Sequence, residues 1–185
     1  MRSSQARSAV DVSVVVATRN RATVLPEALA SLAAQRCASS FEILVVDNGS
    51  DDTTVDVVRE WEQRDERMRS VFEPEIGLSR AKNAGIRAAR GRLVMFTDDD
   101  VIVPEQWIAT YVDFFSRPPA TRVVAGGPVL PVTPDLGTWP AWLDRASRDD
   151  LPSLFYGHGE RRLATSEWLW GANMAAPIPT VRAMR

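Results

Sequence analysis

Three short runs constrain this chain more than anything else in it: VSVVVA at 12–17, FEILVV at 41–46 and LVMFT at 93–97. They are apolar or β-branched at nearly every position and lack the alternation of a strand with one wet face, so they read as strands buried on both sides. Each ends abruptly in polar residues: Thr18-Arg19-Asn20-Arg21, Asp47-Asn48-Gly49-Ser50 and Asp98-Asp99-Asp100. Helical spacing fills the intervals. Thr23 is placed to cap a helix with Pro26 in its first turn, carried by Val24, Leu25, Ala28, Leu29 and Leu32. Asp51 and Asp52 precede a second helix through Val55, Val58 and Trp61. A short strand over 69–72 leads through Gly77 to a helix at 79–90, for which Gly91 is the expected C-terminal cap. Pro104 is expected to open a helix carrying Trp107, Ile108, Tyr111, Phe114 and Phe115.

Strands alternating with helices predict an α/β fold with a mostly parallel central sheet flanked by helices. Such sheets bind ligands beyond the carboxyl ends of their strands. The three polar loops all lie there. With 185 residues, the chain is long enough for one buried domain and part of another. A net charge of -2, without a dense Lys/Arg block, gives no nucleic-acid footprint. The single cysteine, Cys37, rules out an internal disulfide and agrees with a reducing compartment. MRSSQARSAV lacks a signal-peptide core, and no window approaches the roughly 18 apolar residues of a membrane span. The expected location is cytoplasmic, with peripheral attachment at the inner face of a membrane left open.

After Gly126-Gly127 the texture changes. Pro128, Pro131, Pro134, Pro140 and Pro152 enforce short elements, and Trp139, Trp142, Trp168 and Trp170 gather there, as core filling or as a platform for an acceptor, since aromatic faces stack on sugars and other flat apolar surfaces. His158 lies in the Gly-flanked stretch FYGHGERR and reads as a loop residue.

Adjacent carboxylates repel, so the triplet at 98–100 is either a solvated acidic turn or a grip on a cation. A D-x-D at a strand end offers a hard divalent ion two oxygens from a rigid support, with phosphates and water completing the shell. Asp47 could accept hydrogen bonds from a base or ribose, or cap the following helix. Arg19 and Lys82 could balance phosphate charge. Convergence of the three loops on one edge favours a nucleotide site.

The segments VSVVVATRNRATVLPEALASLAAQ, FEILVVDNGSDDTT, GLSRAKNAGIRAARG and LVMFTDDDVIVP resemble, in order and spacing, the pattern of family 2 glycosyltransferases. LWGANMA at 169–175 is similar to a further segment on the acceptor side of that family. The resemblance implies a GT-A fold and inverting transfer of a sugar from a nucleotide-diphosphate donor, with a UDP-sugar as the commonest donor, to a carbohydrate, lipid-linked or other hydroxyl. It implies that Ala17, Thr18, Arg19, Asp47 and Asn48 line the nucleoside pocket and that Lys82 lies near the nucleotide. Asp98 would meet the ribose or the metal, and Asp99 or Asp100 would ligate Mn²⁺ or Mg²⁺; the metal pair assigned is Asp98 and Asp100, with Asp98 and Asp99 also counted as nucleotide-binding. The organisation expected is a flexible segment at 1–10, a nucleotide-sugar-binding α/β half at 11–127 and an incomplete acceptor-side region at 128–185.

One departure stands out. The family places its catalytic base in an acidic motif beyond GANMA, whereas no acidic residue follows Glu167 and the tail APIPTVRAMR, ending at Arg185, carries Pro177 and Pro179 where the family continues into a helix. The resemblance therefore puts the family's base beyond Arg185. The expectation is a truncated product with an intact donor site, in which Glu167, Asp149 and Asp150 are the nearer carboxylates. The alternatives are a nucleotide-sugar-binding fragment without turnover and a D-x-D phosphatase or phosphotransferase, whose motif sits on a first strand and differs at Ile102. No G-x-G-x-x-G occurs, which excludes a dinucleotide-dependent hydride transferase.

Overall fold

A computed structural model describes residues 10–118, 124–129, 169 and 171–184. In chain order the elements are β1 (Val12–Thr18), α1 (Leu25–Ala33), β2 (Phe41–Asp47), α2 (Thr54–Arg64), β3 (Met68–Phe72), α3 (Leu78–Ala88), β4 (Leu93–Asp98), α4 (Trp107–Ser116), β5 (Ala125–Gly126), β6 (Asn173–Pro177) and α5 (Ile178–Arg182). They form one sheet of order β3-β2-β1-β4-β6-β5. β1 to β4 run parallel; β6 is antiparallel to both β4 and β5.

All seven residues of β1 are buried, as its sequence requires. Alternate side chains serve two cores. Val12, Val14 and Val16 pack with Leu25, Leu29 and Leu32 of α1, Val58 of α2, and Trp107 and Ile108 of α4. Val15 and Ala17 pack with Ala81, Ala84 and Ile86 of α3 and Ile178 of α5. Each fully buried Val contributes about 1.5–3 kcal/mol of apolar transfer free energy, which is why the central strand carries almost no polar side chain. Besides Thr18 at the strand's end, Ser13 is the exception: its hydroxyl donates to Oε1 of buried Glu42 (2.7 Å), which also accepts from the Arg90 amide (2.8 Å). Arg69 Nη2, 3.0 Å from the other carboxylate oxygen, pairs the buried charge.

The register places the working edge. Thr18 faces Asp47 across β1–β2, and Ala17 faces Asp98 across β1–β4, so three strand ends lie level. The chain moves outward from β1 through β2 to β3, then returns to β4 on the other side of β1. The crevice above β1 and β4 is therefore a topological switch point.

Four local expectations change. The N-cap of α1 is Val24 rather than Thr23, and no side chain caps it; Pro26 does lie in the first turn, where its missing N–H leaves no bond unmade. α3 ends at Ala88 with extended Ala89 as its C-cap, so Gly91 is not the cap. Gly91 serves contact instead: a Cβ there would lie 2.6 Å from the Ser13 nitrogen and 2.7 Å from the Val12 carbonyl carbon. Pro104 precedes α4 in a turn closed by the Trp107 N–H to its carbonyl (2.9 Å), and the helix begins at Trp107. The prolines of the tail do not prevent a helix either, because Pro179 falls in the first turn of α5. Among the described residues no helix is long and apolar enough to cross a membrane.

Candidate functional site

Two loops build one side of the site by bonding to each other. Asn20, at φ 55°, donates Nδ2–H to Asp51 Oδ1 (2.6 Å) and accepts the Asp51 amide on Oδ1 (2.9 Å). The amides of Asn20 and Arg21 donate to Ser50 Oγ (3.0 Å) and Thr54 Oγ1 (2.8 Å). Asn is among the few residues that tolerate this backbone region, so the N of TRNR is a geometric requirement as much as a polar one. The β1–α1 loop is thus fixed before any ligand arrives.

Asn48 fixes the opposite wall. Its Nδ2 donates to the carbonyls of Glu73 and Glu75, both at 2.9 Å, and its Oδ1 accepts the Gly77 amide at 2.7 Å. Gly77 stands at φ 150°, a conformation that side chains rarely adopt, and starts α3. Asp47 is buried behind this wall, with Oδ1 accepting from the Ser50 amide at 3.2 Å.

Between the walls opens a cleft of about 350 Å³. Ala17, Thr18, Arg19, Asn48, Asp98, Asp99 and Asp100, all singled out from the sequence, line it; Asp47 and Lys82 stand behind the lining. Arg21, Ile76, Gly77, Leu78 and Ala81 complete it. Ile76 and Leu78 are 61% and 60% exposed, an apolar rim that sequence reading passed over. A signal was there: two large aliphatic residues flank a glycine just before α3, outside any helical period.

All three carboxylates of the triplet line this cleft, with different partners. Asp98 ends β4, and Asp99 and Asp100 stand in the turn that follows. Asp98 Oδ1 lies 3.3 Å from Lys82 Nζ on α3, and Asp99 Oδ1 lies 3.8 Å from Arg21 Nε. Asp100 is exposed to solvent. Burial pushes the Asp99 carboxyl above the ordinary carboxylate range; the nearby Thr18 hydroxyl and Arg21 oppose this, while Asp100 and Asp98 add to it. The Thr18 hydroxyl itself is buried without a hydrogen bond of normal geometry.

Among the described residues no three Asp, Glu, His or Cys side chains form a ready-made metal cage. Asp98 and Asp100, two residues apart, nonetheless both reach the cleft. Two carboxylates with room for phosphate and water is the donor set that Mg²⁺ and Mn²⁺ accept, so these residues fit such an ion.

Residues 171–177 approach the same edge from the far side. Asn173 Oδ1 accepts from Trp107 Nε1 (2.8 Å), Tyr111 OH lies 2.7 Å from it, and Asn173 Nδ2 donates to the Pro128 carbonyl (2.8 Å). This ties β6 to α4, and burial raises the Tyr111 phenol pKa. The carboxylates Asp149, Asp150 and Glu167, His158, the tryptophans at 139, 142, 168 and 170, and the segment 1–9 lie outside the described residues. So does Arg185, beyond which the resemblance puts the family's base, and the described residues leave that expectation untouched.

Comparison with known proteins bears on the family. A stretch of 118 residues is 39% identical to validoxylamine A glucosyltransferase of Streptomyces hygroscopicus subsp. jinggangensis, covering 62% of this chain and 28% of that protein. Glycosyltransferase AglE of Haloferax volcanii is 32% identical over 129 residues, 69% of this chain and 42% of that one. Among solved structures, the mannosyltransferase PcManGT of Pyrobaculum calidifontis, in complex with GDP-Man and Mn²⁺, superposes with a TM-score of 0.56 at 31% identity, over 64% of this chain and 35% of that one. S. aureus TarS 1-349 in complex with UDP-GlcNAc gives 0.52 at 27% identity, over 58% and 31%. The chain thus spans less than half the length of these relatives. Residues 13–168 match the family model for glycosyl transferase family 2; with the switch-point cleft and the GT-A neighbours, the chain belongs to that family and has its GT-A type of fold.

Proposed function

We propose that this protein transfers a sugar from a nucleoside-diphosphate donor to a hydroxyl acceptor, with inversion at the anomeric carbon. The observation that carries the reading is the cleft at the β1/β4 switch point, floored by strand ends and edged by Asp98 and Asp100. The apolar rim of Ile76 and Leu78 suits the flat face of a base or ribose, while Arg19 and Arg21 offer guanidinium groups to phosphate. Asp98 and Asp100 would hold Mn²⁺ or Mg²⁺ against the donor's diphosphate. When bound, such a cation supplies neutralising charge for the departing diphosphate. Asp99, paired with Arg21 at 3.8 Å and lining the same cleft, would stand beside the nucleotide with it. A carboxylate base on the acceptor side typically contributes about 10²–10⁴-fold; Glu167, Asp149 and Asp150 are the candidates in this chain. The acceptor is read as a carbohydrate or lipid-linked hydroxyl, met in the cytoplasm or at the inner face of a membrane.

Calorimetric titration of UDP and GDP, with and without Mn²⁺, tests the donor site. The expected result is Mn²⁺-dependent binding of one of them and its loss in Asp100→Ala, with the circular dichroism spectrum unchanged. Failure of both nucleotides to bind at saturating concentrations sinks the reading. Release of nucleoside diphosphate in the presence of hydroxyl acceptors then separates a working transferase from a binding module.

A further inference from the structure

Lys82 holds a position that nucleotide contact alone does not explain. Its Nζ lies between groups far apart in the chain, Asp98 Oδ1 at 3.3 Å and the Gly171 carbonyl oxygen at 3.4 Å. Both distances exceed the 2.7–2.9 Å or so of a committed charge-assisted bond, so the ammonium is shared between the two. The Lys82 side chain is 18% exposed against 40% for Asp98, and only Asp98 lines the cleft. The lysine therefore supports the carboxylate from behind and leaves its front open. Gly171 is fitted to this arrangement: a Cβ there would come 2.6 Å from Nζ.

We propose that Lys82 is a displaceable counter-cation. It neutralises Asp98 while the cleft is empty and yields that carboxylate to a divalent ion arriving with the donor. The inference rests on the reading that Asp98 takes the metal. A monovalent and a divalent cation on one carboxylate repel each other, so Lys82 opposes metal binding by itself. Diphosphate oxygens relieve that repulsion by giving the ammonium a second anionic partner. Metal and nucleotide consequently bind with positive coupling, and each gains affinity from the other by the same factor. The Gly171 carbonyl is the partner Lys82 retains, so occupancy of the donor site is felt at the segment entering β6. Lys82 is in these terms a positioning residue, which sets the order of assembly.

The test uses the full chain in wild-type, Lys82→Met, Lys82→Arg and Gly171→Ala forms. Electron paramagnetic resonance of free Mn²⁺ measures metal affinity without nucleotide; calorimetry measures UDP and GDP affinity with and without Mn²⁺. Lys82→Met should bind Mn²⁺ alone roughly tenfold more tightly, because a unit charge a few ångströms from a divalent ion is removed. Because the metal then binds well on its own, the factor by which the nucleoside diphosphate improves Mn²⁺ affinity should fall, and the reciprocal factor with it. Lys82→Arg should keep the coupling. Gly171→Ala displaces the ammonium without deleting it and should tighten Mn²⁺ binding by a smaller factor. A lysine serving only packing moves none of these quantities. Unchanged or weaker Mn²⁺ affinity in Lys82→Met, or in Gly171→Ala should the former not fold, overturns the proposal when the wild type shows Mn²⁺-dependent nucleotide binding. A wild type that binds neither nucleotide at any Mn²⁺ level overturns the donor-site reading and the proposal with it.

Discussion

Replacing Asn48 with Ala isolates what holds the cleft's wall. Asn48 is buried, and its amide makes three hydrogen bonds of 2.7–2.9 Å to the segment that delivers Ile76, Gly77 and Leu78. Alanine leaves two carbonyls and one amide without their partner. At about 1 kcal/mol net per bond, the loss is roughly 3 kcal/mol. With an m-value near 2 kcal/mol/M, the urea midpoint falls by about 1.5 M. Nucleoside diphosphate affinity falls as well, since the apolar rim is no longer fixed. Asn48→Asp sharpens the test: it keeps an acceptor for the Gly77 amide but turns a carboxylate oxygen towards two carbonyl oxygens. At neutral pH it should be no more stable than the alanine variant, and it should recover part of the loss on acidification. Urea denaturation followed by fluorescence, with calorimetry on the folded protein, reads both effects. A wild-type midpoint in Asn48→Ala refutes the clamp; normal stability with lost binding would make Asn48 a direct ligand contact instead.

Gly91→Ala should lower stability by about 3 kcal/mol, read as a drop in Tm, because the new methyl meets strand backbone that cannot step aside. Asp65 accepts from Arg67 Nε at 2.8 Å, and that side-chain bond holds its carboxyl below the usual range. Its stabilising share is therefore complete above the unfolded carboxylate pKa and is lost as pH falls through the folded one. Asp65→Asn should be less stable than wild type by roughly 1 kcal/mol at neutral pH and equal to it in strong acid, as pH-dependent urea denaturation would show.

Three of the parallel strands were legible because burial on both faces leaves a mostly apolar run, and 12–17, 41–46 and 93–97 are such runs. The site's edge was legible for the same reason, since strand ends declare themselves where the run stops. Roles set by partners distant in sequence were hidden. Asn48 reads as a loop asparagine until Glu73, Glu75 and Gly77 are seen around it. Gly91 reads as a helix stop because glycine's two uses, positive φ and close approach, look alike in one dimension. Three consecutive aspartates announced the cleft they line, but not their partners: Lys82 for Asp98 and Arg21 for Asp99 are distant in sequence. β6 could not be found by period: NMAAP carries no alternation, and it is a strand because β4 offers an unpaired edge beside it.

That last pairing has a consequence for how the molecule comes into being. β4 leaves the ribosome long before Asn173–Pro177, so its outer row of amide and carbonyl groups stays uncovered while the intervening chain is made. A naked apolar edge is a template for a neighbouring nascent chain, and the hazard ends only when the antiparallel strand docks. Synthesis beyond residue 177 thus completes a shield as well as a sheet, and aggregation during expression should depend on how quickly that late segment arrives.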